Sequence, residues 1–467
     1  GKLEDIAERL GPERLIVAPS CSLVYVPVDV ELEDRMDPDI RQWLAFAKQK
    51  VEEVSVLTDA LCCGRNEVEH IFESNTRAME WRSRVRDASA NPSHTKIDQI
   101  TERMCHRQSP YHARRKAQET LFNLPLFPTT TIGSFPQTKE IRDARKKMRS
   151  GELSSAEYKN AMQHEITNNI ELQEKIGLDV LVHGEPERTD MVEYFADQLD
   201  GMLVTQHGWV QSYGSRCVKP PIIHGDISRP KPITVEWATF AQAQTGNPVK
   251  GMLTGPVTIL QWSFERDDKP PEISSLQLAL AIRDEVADLE AAGIKIIQID
   301  EPAIREGLPL RHDDRQEYLR WAIRAFKIAS SGVDDDTQIH THMCYSEFGD
   351  MLQSIIDMDA DVISIEAARS HMELLTTLRS VGYPNEIGPG VWDVHSPRVP
   401  TEEEIEALLK KALEAIPPDR LWVNPDCGLK TRGWKEVVPA LNALVQAASS
   451  LRHKTKSGLP TASRARE

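Results

Sequence analysis

The stretch IHTHMCYSEF (339–348) sets His340, His342 and Cys344 at alternate positions. On a β-strand alternate side chains share a face, so one surface would present two imidazoles and a thiol. Further polar or metal-capable residues stand at the ends of other short apolar runs: Ser134, Glu185, Asp300 with Glu301, Glu366, Asp393 with His395, and Asp426 with Cys427. Two thiolates, one imidazole and one carboxylate are a donor set typical of tetrahedral Zn²⁺. His342, Cys344, Glu366 and Cys427 would supply that set if their runs converge. A lone His-x-Cys carries little weight by itself, and spacing does not choose between His340 and His342.

Convergence depends on the elements that carry these residues. Short apolar runs recur at 128–136, 178–185, 249–256, 294–302, 337–344, 360–366, 386–394 and 421–428. Amphipathic helical stretches separate them, for example SSLQLALAIRDEVADLEAAG (274–293) and TEEEIEALLKKALEAI (401–416), the second opening with Thr401 and Glu404 in capping-box spacing. Eight strand–helix units in series predict an α/β chain built on a (β/α)₈ TIM-type barrel, with an open doubly wound sheet as the alternative. Chemistry in such barrels sits at the C-terminal ends of the strands, which is where the residues above fall. The segment RCVKPPIIHGDISRPKPIT (216–234) lies outside the eight units and reads as a β-hairpin insertion.

The flanking text divides into three further regions. Residues 1–62 hold an apolar run at 14–28, read as a strand and loop, and a helical pattern through 37–61. One strand and one helix cannot bury both their faces, so this region is expected to be the remnant of a second, N-terminal barrel, most of it absent from the chain. Residues 63–125 are polar and helical, interrupted by NPSH and SPYH, and suit an interdomain connector. The barrel occupies 126–450, and 451–467 reads as a disordered basic tail.

Composition limits the partners. The 467 residues carry a net charge of −16, which disfavours nucleic acid and anionic membranes. No run of about 18 apolar residues is present to span a bilayer, and no signal-peptide pattern opens the chain. Seven cysteines do not suggest a disulfide framework, and reduced thiols suit metal binding or catalysis in the cytoplasm. Cys21, Cys62, Cys63 and Cys105 lie outside the barrel and read as incidental thiols. No phosphate-loop or dinucleotide fingerprint is found.

The motifs PTTTIGSFPQT, LVHGEP, IQIDEPA, IHTHMCYSEF, GPGVWDVHSPR and NPDCGLKTR, in this order, resemble the C-terminal catalytic domain of the cobalamin-independent methionine synthase family. That family consists of 5-methyltetrahydropteroyltriglutamate–homocysteine methyltransferases, and the likeness extends from about residue 125 to 450. The resemblance implies one zinc ion per chain, held by His342, Cys344, Glu366 and Cys427, which favours His342 over His340. It implies that homocysteine meets the backbone of Ile132, Gly133 and Ser134 and the carboxylates of Glu185 and Asp300. It implies folate contacts at Arg216, Cys217, Trp262 and Glu306, and a proton donor at His395, with Asp393 beside it if the strand continues that far. The expected reaction moves a methyl group from a 5-methyltetrahydropteroyl polyglutamate to homocysteine, yielding methionine, in a monomer.

Elementary chemistry asks for these groups independently. A neutral thiol is a poor nucleophile, and the folate N5 is a poor leaving group unless protonated. Zinc serves the thiol, and a histidine titrates in the range useful to N5. Four protein ligands fill a tetrahedron, so an entering thiol must displace Glu366 or raise the coordination number to five. Two other readings stand beside this one. A related zinc thiol methyltransferase could use a methylcorrinoid donor, or the chain could be a catalytically silent fragment whose zinc is structural.

Overall fold

The computed structural model describes residues 1–88, 96–212, 217–344, 351–370, 372, 379 and 382–456. Arg216 and residues 457–467 of the expected tail lie outside the described residues. Two compact units are formed. One contains Gly1–Asp98, Val192–Ser228 and Trp262–Lys269; the other contains Gln99–Met191, Arg229–Gln261 and the described part of Pro270–Glu467. The expected connector is therefore shared between them, its helix Glu69–Ala88 belonging to the first unit and its helix Tyr111–Phe122 to the second.

Ten strands occur among the described residues: β1 (Leu181–Val182), β2 (Asp200–Leu203), β3 (Val210–Gln211), β4 (Cys217–Val218), β5 (Ile222–Ser228), β6 (Val249–Thr254), β7 (Ile296–Asp300), β8 (Gln338–Met343), β9 (Val362–Ile365) and β10 (Glu386–Pro389). In the second unit β1, β6, β7, β8, β9 and β10 form one parallel sheet in that order. Single parallel bridges extend it, Ile387 with Leu421 and Gly390 with Asn424 at one edge, Ser134 with Gly184 at the other. A bridge between Thr129 and Val423 joins the edges, with Thr130 N donating to Val423 O at 3.0 Å and Val423 N donating to Pro128 O at 2.9 Å. Eight parallel positions thus close into a ring. Pro128, Pro136 and Pro425 have no N–H for a ladder, which accounts for bridges rather than full strands in the first and last runs.

The interior is layered by the two-residue repeat of its strands. Val180, Ile296, Val362 and Trp422, from alternate positions of the ring, form a buried apolar layer covered by Phe122 and Leu124. Two residues further along the same runs come Gln298, Ser364 and Asn424, and two further again Asp300, Glu366 and Asp426. The filling therefore turns from apolar to polar toward the C-terminal ends. The outer helices obey their sequence signals. Helix Glu402–Leu413 begins with the capping box expected at Thr401, whose N–H donates to Glu404 Oε2 at 3.0 Å. The last helix, Trp434–Lys456, continues six residues into the segment read as a tail.

A buried ion network fastens the chain ahead of the barrel to the barrel wall. Asp361, immediately before β9, accepts from Arg114 Nε at 2.7 Å and Arg107 Nη1 at 3.1 Å, and also from the backbone N–H of Ile339 at 2.8 Å. Arg114 reaches Asp359 through its other nitrogens at 2.9 and 3.0 Å. Both arginines and Asp361 are buried.

The first unit departs from its sequence reading in two ways. No strand forms at 14–28; the segment holds short 3₁₀ turns, and Ile16 is 95% exposed. A strand persists only with a ladder partner, and this run finds none among the described residues. The following long helix starts at Ala47 rather than 37, because Pro38 opens a separate single turn. The expected hairpin at 216–234 is also different. Its strands β4 and β5 do not pair with each other but return against β3 and β2, so the insertion is a nested antiparallel arm that begins upstream at Asp200. Buried Glu33 receives the N–H groups of Gln206 and His207 at 2.6 and 2.8 Å, and Val30, Phe46 and Ile222 form the unit's core.

Candidate active site

His342 lies on β8, in register with Ser364 of β9, and both point into the barrel. Ser364 Oγ donates its one proton to Thr341 O at 3.2 Å and stands 3.0 Å from His342 Nδ1. The hydroxyl proton is thereby used, so Nδ1 must carry the proton and Nε2 keeps its lone pair. That lone pair faces Cys344 Sγ at 3.5 Å; Cys344 Sγ is 3.4 Å from Cys427 Sγ, which is 3.1 Å from Glu366 Oε1. Donors sharing one zinc at ~2.0–2.3 Å are separated by about 3.5 Å. His342, Cys344 and Cys427 form a metal-capable cluster with all three donor atoms within 4.8 Å of one another.

The electrostatics of the cluster suit a cation. Cys344, then burial and the Glu366 carboxylate, push the Cys427 thiol well above its ordinary value. Burial, followed by Lys250, holds His342 down to about 3, so its imidazole is neutral, as a metal ligand requires. The Cys427 thiol thus resists becoming an anion unless positive charge joins it. His340 has another role. Its Nε2 is 2.8 Å from Gln338 Oε1, and its ring meets Trp422 edge-on with centroids 4.9 Å apart, one layer below the cluster.

A second group of polar residues lines the same end of the barrel. The Ser134–Gly184 bridge brings Ile132, Gly133 and Ser134 beside Glu185. A Cβ at Gly133 would lie 2.6 Å from Met252 Cε and 2.7 Å from Glu185 Oε1, so any side chain there would displace the ends of both. Glu185 itself has φ +58°, a strained conformation for a non-glycine residue at a strand end. Its neighbour Arg188 lies 3.6 Å from Glu185 Oε1 and donates to Glu187 Oε1 at 2.9 Å and to Met252 O at 2.9 Å. Burial alone would raise Glu187, but His183 and Arg188 outweigh it and hold the carboxyl down to about 2. Asp300, at the end of β7, accepts from Gln298 Nε2 at 2.8 Å. Burial pushes it up to about 8, with the Gln298 amide opposing and Glu185 adding to the rise.

The remaining sequence candidates are distributed as follows. β10 ends at Pro389, so Asp393 and His395 lie in a turn rather than on a continued strand. Asp393 Oδ1 accepts the backbone N–H of His395 at 2.9 Å, and the His395 residue is exposed. Glu306 is exposed in the second unit, after β7. Cys217, exposed on β4, and half-buried Trp262 belong to the first unit. Glu301 faces away from these groups, accepting N–H from Val257 and Thr258 at 3.1 and 2.8 Å at the start of helix Pro256–Gln261. Sequence reading missed Ser364, Arg188, Lys250 and Gln298. The two-residue repeat carried on from Asp300 and Glu366 toward the barrel floor points to Gln298 and Ser364.

The family described as "Cobalamin-independent synthase, Catalytic domain" matches residues 127–450. The chain is 57% identical over 455 residues to a 5-methyltetrahydropteroyltriglutamate–homocysteine methyltransferase of Saccharophagus degradans, covering 97% of this chain and 59% of the relative. It is 59% identical over 450 residues to the enzyme of the same description from Nitrosomonas europaea, covering 96% and 59%. The chain thus spans about three-fifths of the length of these relatives. Among solved structures, a B12-independent methionine synthase from Shewanella sp. W3-18-1 in complex with selenomethionine aligns at 26% identity and TM-score 0.61, over 71% of this chain and 99% of that one.

Proposed function

From the premise that this chain belongs to the cobalamin-independent synthase family, we propose that its barrel transfers a methyl group from a 5-methyltetrahydropteroyl polyglutamate to the homocysteine sulfur, as a zinc enzyme of the cytoplasm. The observation that carries this reading is the convergence of His342, Cys344 and Cys427, with Glu366 at 3.1 Å from Cys427, beside the carboxylates Glu185 and Asp300. A thiol-directing centre and an ammonium-directing pair at one barrel mouth match the two ends of homocysteine. The selenomethionine in the Shewanella structure, a close mimic of the methionine product, is consistent with that fit.

His342, Cys344, Glu366 and Cys427 would hold the zinc. When bound there, zinc lowers the pKa of a coordinating thiol so that it is deprotonated near neutral pH yet remains nucleophilic. The protein's own groups supply the rest. Glu185 and Asp300 would receive the substrate ammonium, and main-chain N–H groups near Ser134 its carboxylate, which fixes the sulfur in position. An entering ammonium favours ionised Asp300, offsetting the burial that raises it. The C–S bond forms as the methyl–N5 bond breaks, and N5 must gain the proton that His395 would provide. Asp393 fixes the His395 backbone in its turn. Of the folate candidates, Glu306 would contact the folate from the barrel's own unit.

A turnover assay tests the reading. The zinc-loaded 467-residue chain is expected to form methionine from homocysteine and 5-methyltetrahydropteroyltriglutamate, and to lose that activity with a chelator. Homocysteine binding without any methyl transfer would show that this span is a substrate-binding piece of a longer enzyme. A methylcorrinoid accepted in place of the folate would overturn the donor assignment.

A further inference from the structure

Lys250 projects from β6 into the barrel interior, where it is 1% exposed. An amine in a barrel core is costly unless its hydrogen bonds are made. Lys250 Nζ donates to Thr131 O at 2.6 Å and to Gln298 Oε1 at 2.7 Å. Gln298 presents its oxygen to Lys250. The Gln298 NH₂ group then donates to Ile132 O at 2.9 Å and Asp300 Oδ1 at 2.8 Å. The Ile132 carbonyl can only accept, which fixes the amide orientation. One side chain thus ties together the 131–134 backbone and Asp300, the two walls that face the amino-acid end of the substrate.

Resting on the homocysteine reading above, we propose that Lys250 is the positioning residue of the amino-acid subsite, acting through Gln298 on Asp300 and through Thr131 on the Ile132–Ser134 backbone. Its hydrogen bonds run only to the groups that would face the ammonium and carboxylate of the substrate, Thr131 and Gln298. The thiol end is governed by the separate cluster on β8, β9 and the 421–428 run. Loss of Lys250 would leave Gln298 Oε1 without its donor in a buried site and Thr131 O with the Thr130 hydroxyl at 3.3 Å, freeing the amide to turn and Asp300 to swing.

Calorimetric titration of the zinc-loaded 467-residue chain with L-homocysteine, and in parallel with 1-propanethiol, separates the two ends. Propanethiol has the sulfur but no amino-acid group. Lys250→Met is expected to weaken homocysteine about tenfold or more, the order of one buried hydrogen bond left unmade, while propanethiol affinity and zinc content stay as in the parent. Gln298→Glu keeps a partner for Lys250 but offers Asp300 only acceptor oxygens, so the same selective loss is expected even if Lys250→Met does not fold. Equal weakening of both ligands, or unchanged homocysteine binding in either folded variant, would overturn the proposal. A parent chain that binds propanethiol but not homocysteine would overturn the homocysteine reading along with it; a parent that binds homocysteine, with insensitive variants, would overturn the Lys250 assignment alone.

Discussion

The Cys427→Ser chain is expected to lose its metal and its methyl transfer together. Cys427 contributes one of only two sulfur donors in the cluster, 3.4 Å from the other and 3.1 Å from Glu366. A serine hydroxyl is a poor ligand because it stays protonated near neutral pH, so it replaces a soft anionic donor with a weak neutral one. Loss of a residue that merely orients a ligand costs about 10–100-fold in metal affinity, and loss of a ligand itself should exceed that range. Metal content measured after dialysis against a buffered chelator should fall from one zinc per chain to near zero, and methionine formation with it. Cys62→Ser provides the comparison, since Cys62 is exposed and lies in the other unit; its zinc content should equal that of the parent. Full zinc occupancy in Cys427→Ser would falsify the ligand assignment.

The second large effect concerns stability. Asp361→Ala is expected to destabilise the barrel unit by about 3–5 kcal/mol, the usual consequence of removing one member of a buried ion network and stranding the others. Arg107 and Arg114 both direct nitrogens at the Asp361 carboxylate, and the N–H of Ile339 at the start of β8 would also lose its acceptor. Asp359 is on hand for Arg114, but it is partly exposed and already engaged. Arg107 retains only the carbonyls of Asp334 and Thr337. Urea unfolding of parent and variant, followed by the fluorescence of Trp422 and its neighbours in the barrel, measures the difference. A loss under about 1 kcal/mol would mean that the two arginines re-pair with water or with one another's acceptors.

The barrel was legible because its signal is repetitive. Eight apolar runs separated by helical stretches allow few topologies, and a polar residue at nearly every run's end says which face carries chemistry. The metal-capable cluster was legible for the same reason: His342 and Cys344 are two apart on one strand, while the ring alone brings in residues as distant as Cys427. The limits are equally physical. Lys250 sits near the start of β6 where an aliphatic residue would be ordinary, and nothing local marks it; its partners, Gln298 on neighbouring β7 and Thr131 two runs away round the ring, are known only once the strand order is. Ser364 is likewise recognisable only once its register with His342 is known. The 14–28 run, read as a strand and loop, has the apolar residues of a strand, but strands are made by their neighbours, and there the neighbour is lacking among the described residues. The arm failed by its register: 216–234 shows turn and strand residues, but the matching strands lie before it, at 200–211.

The central claim, that the cluster is a zinc site built to take a substrate thiol, is most directly tested by zinc-edge X-ray absorption on the purified chain before and after adding L-homocysteine. The expected result is a first shell with two sulfur donors that becomes three on addition, whether or not turnover follows. A shell that keeps two sulfurs under saturating homocysteine would contradict the claim and leave a zinc that only braces the barrel.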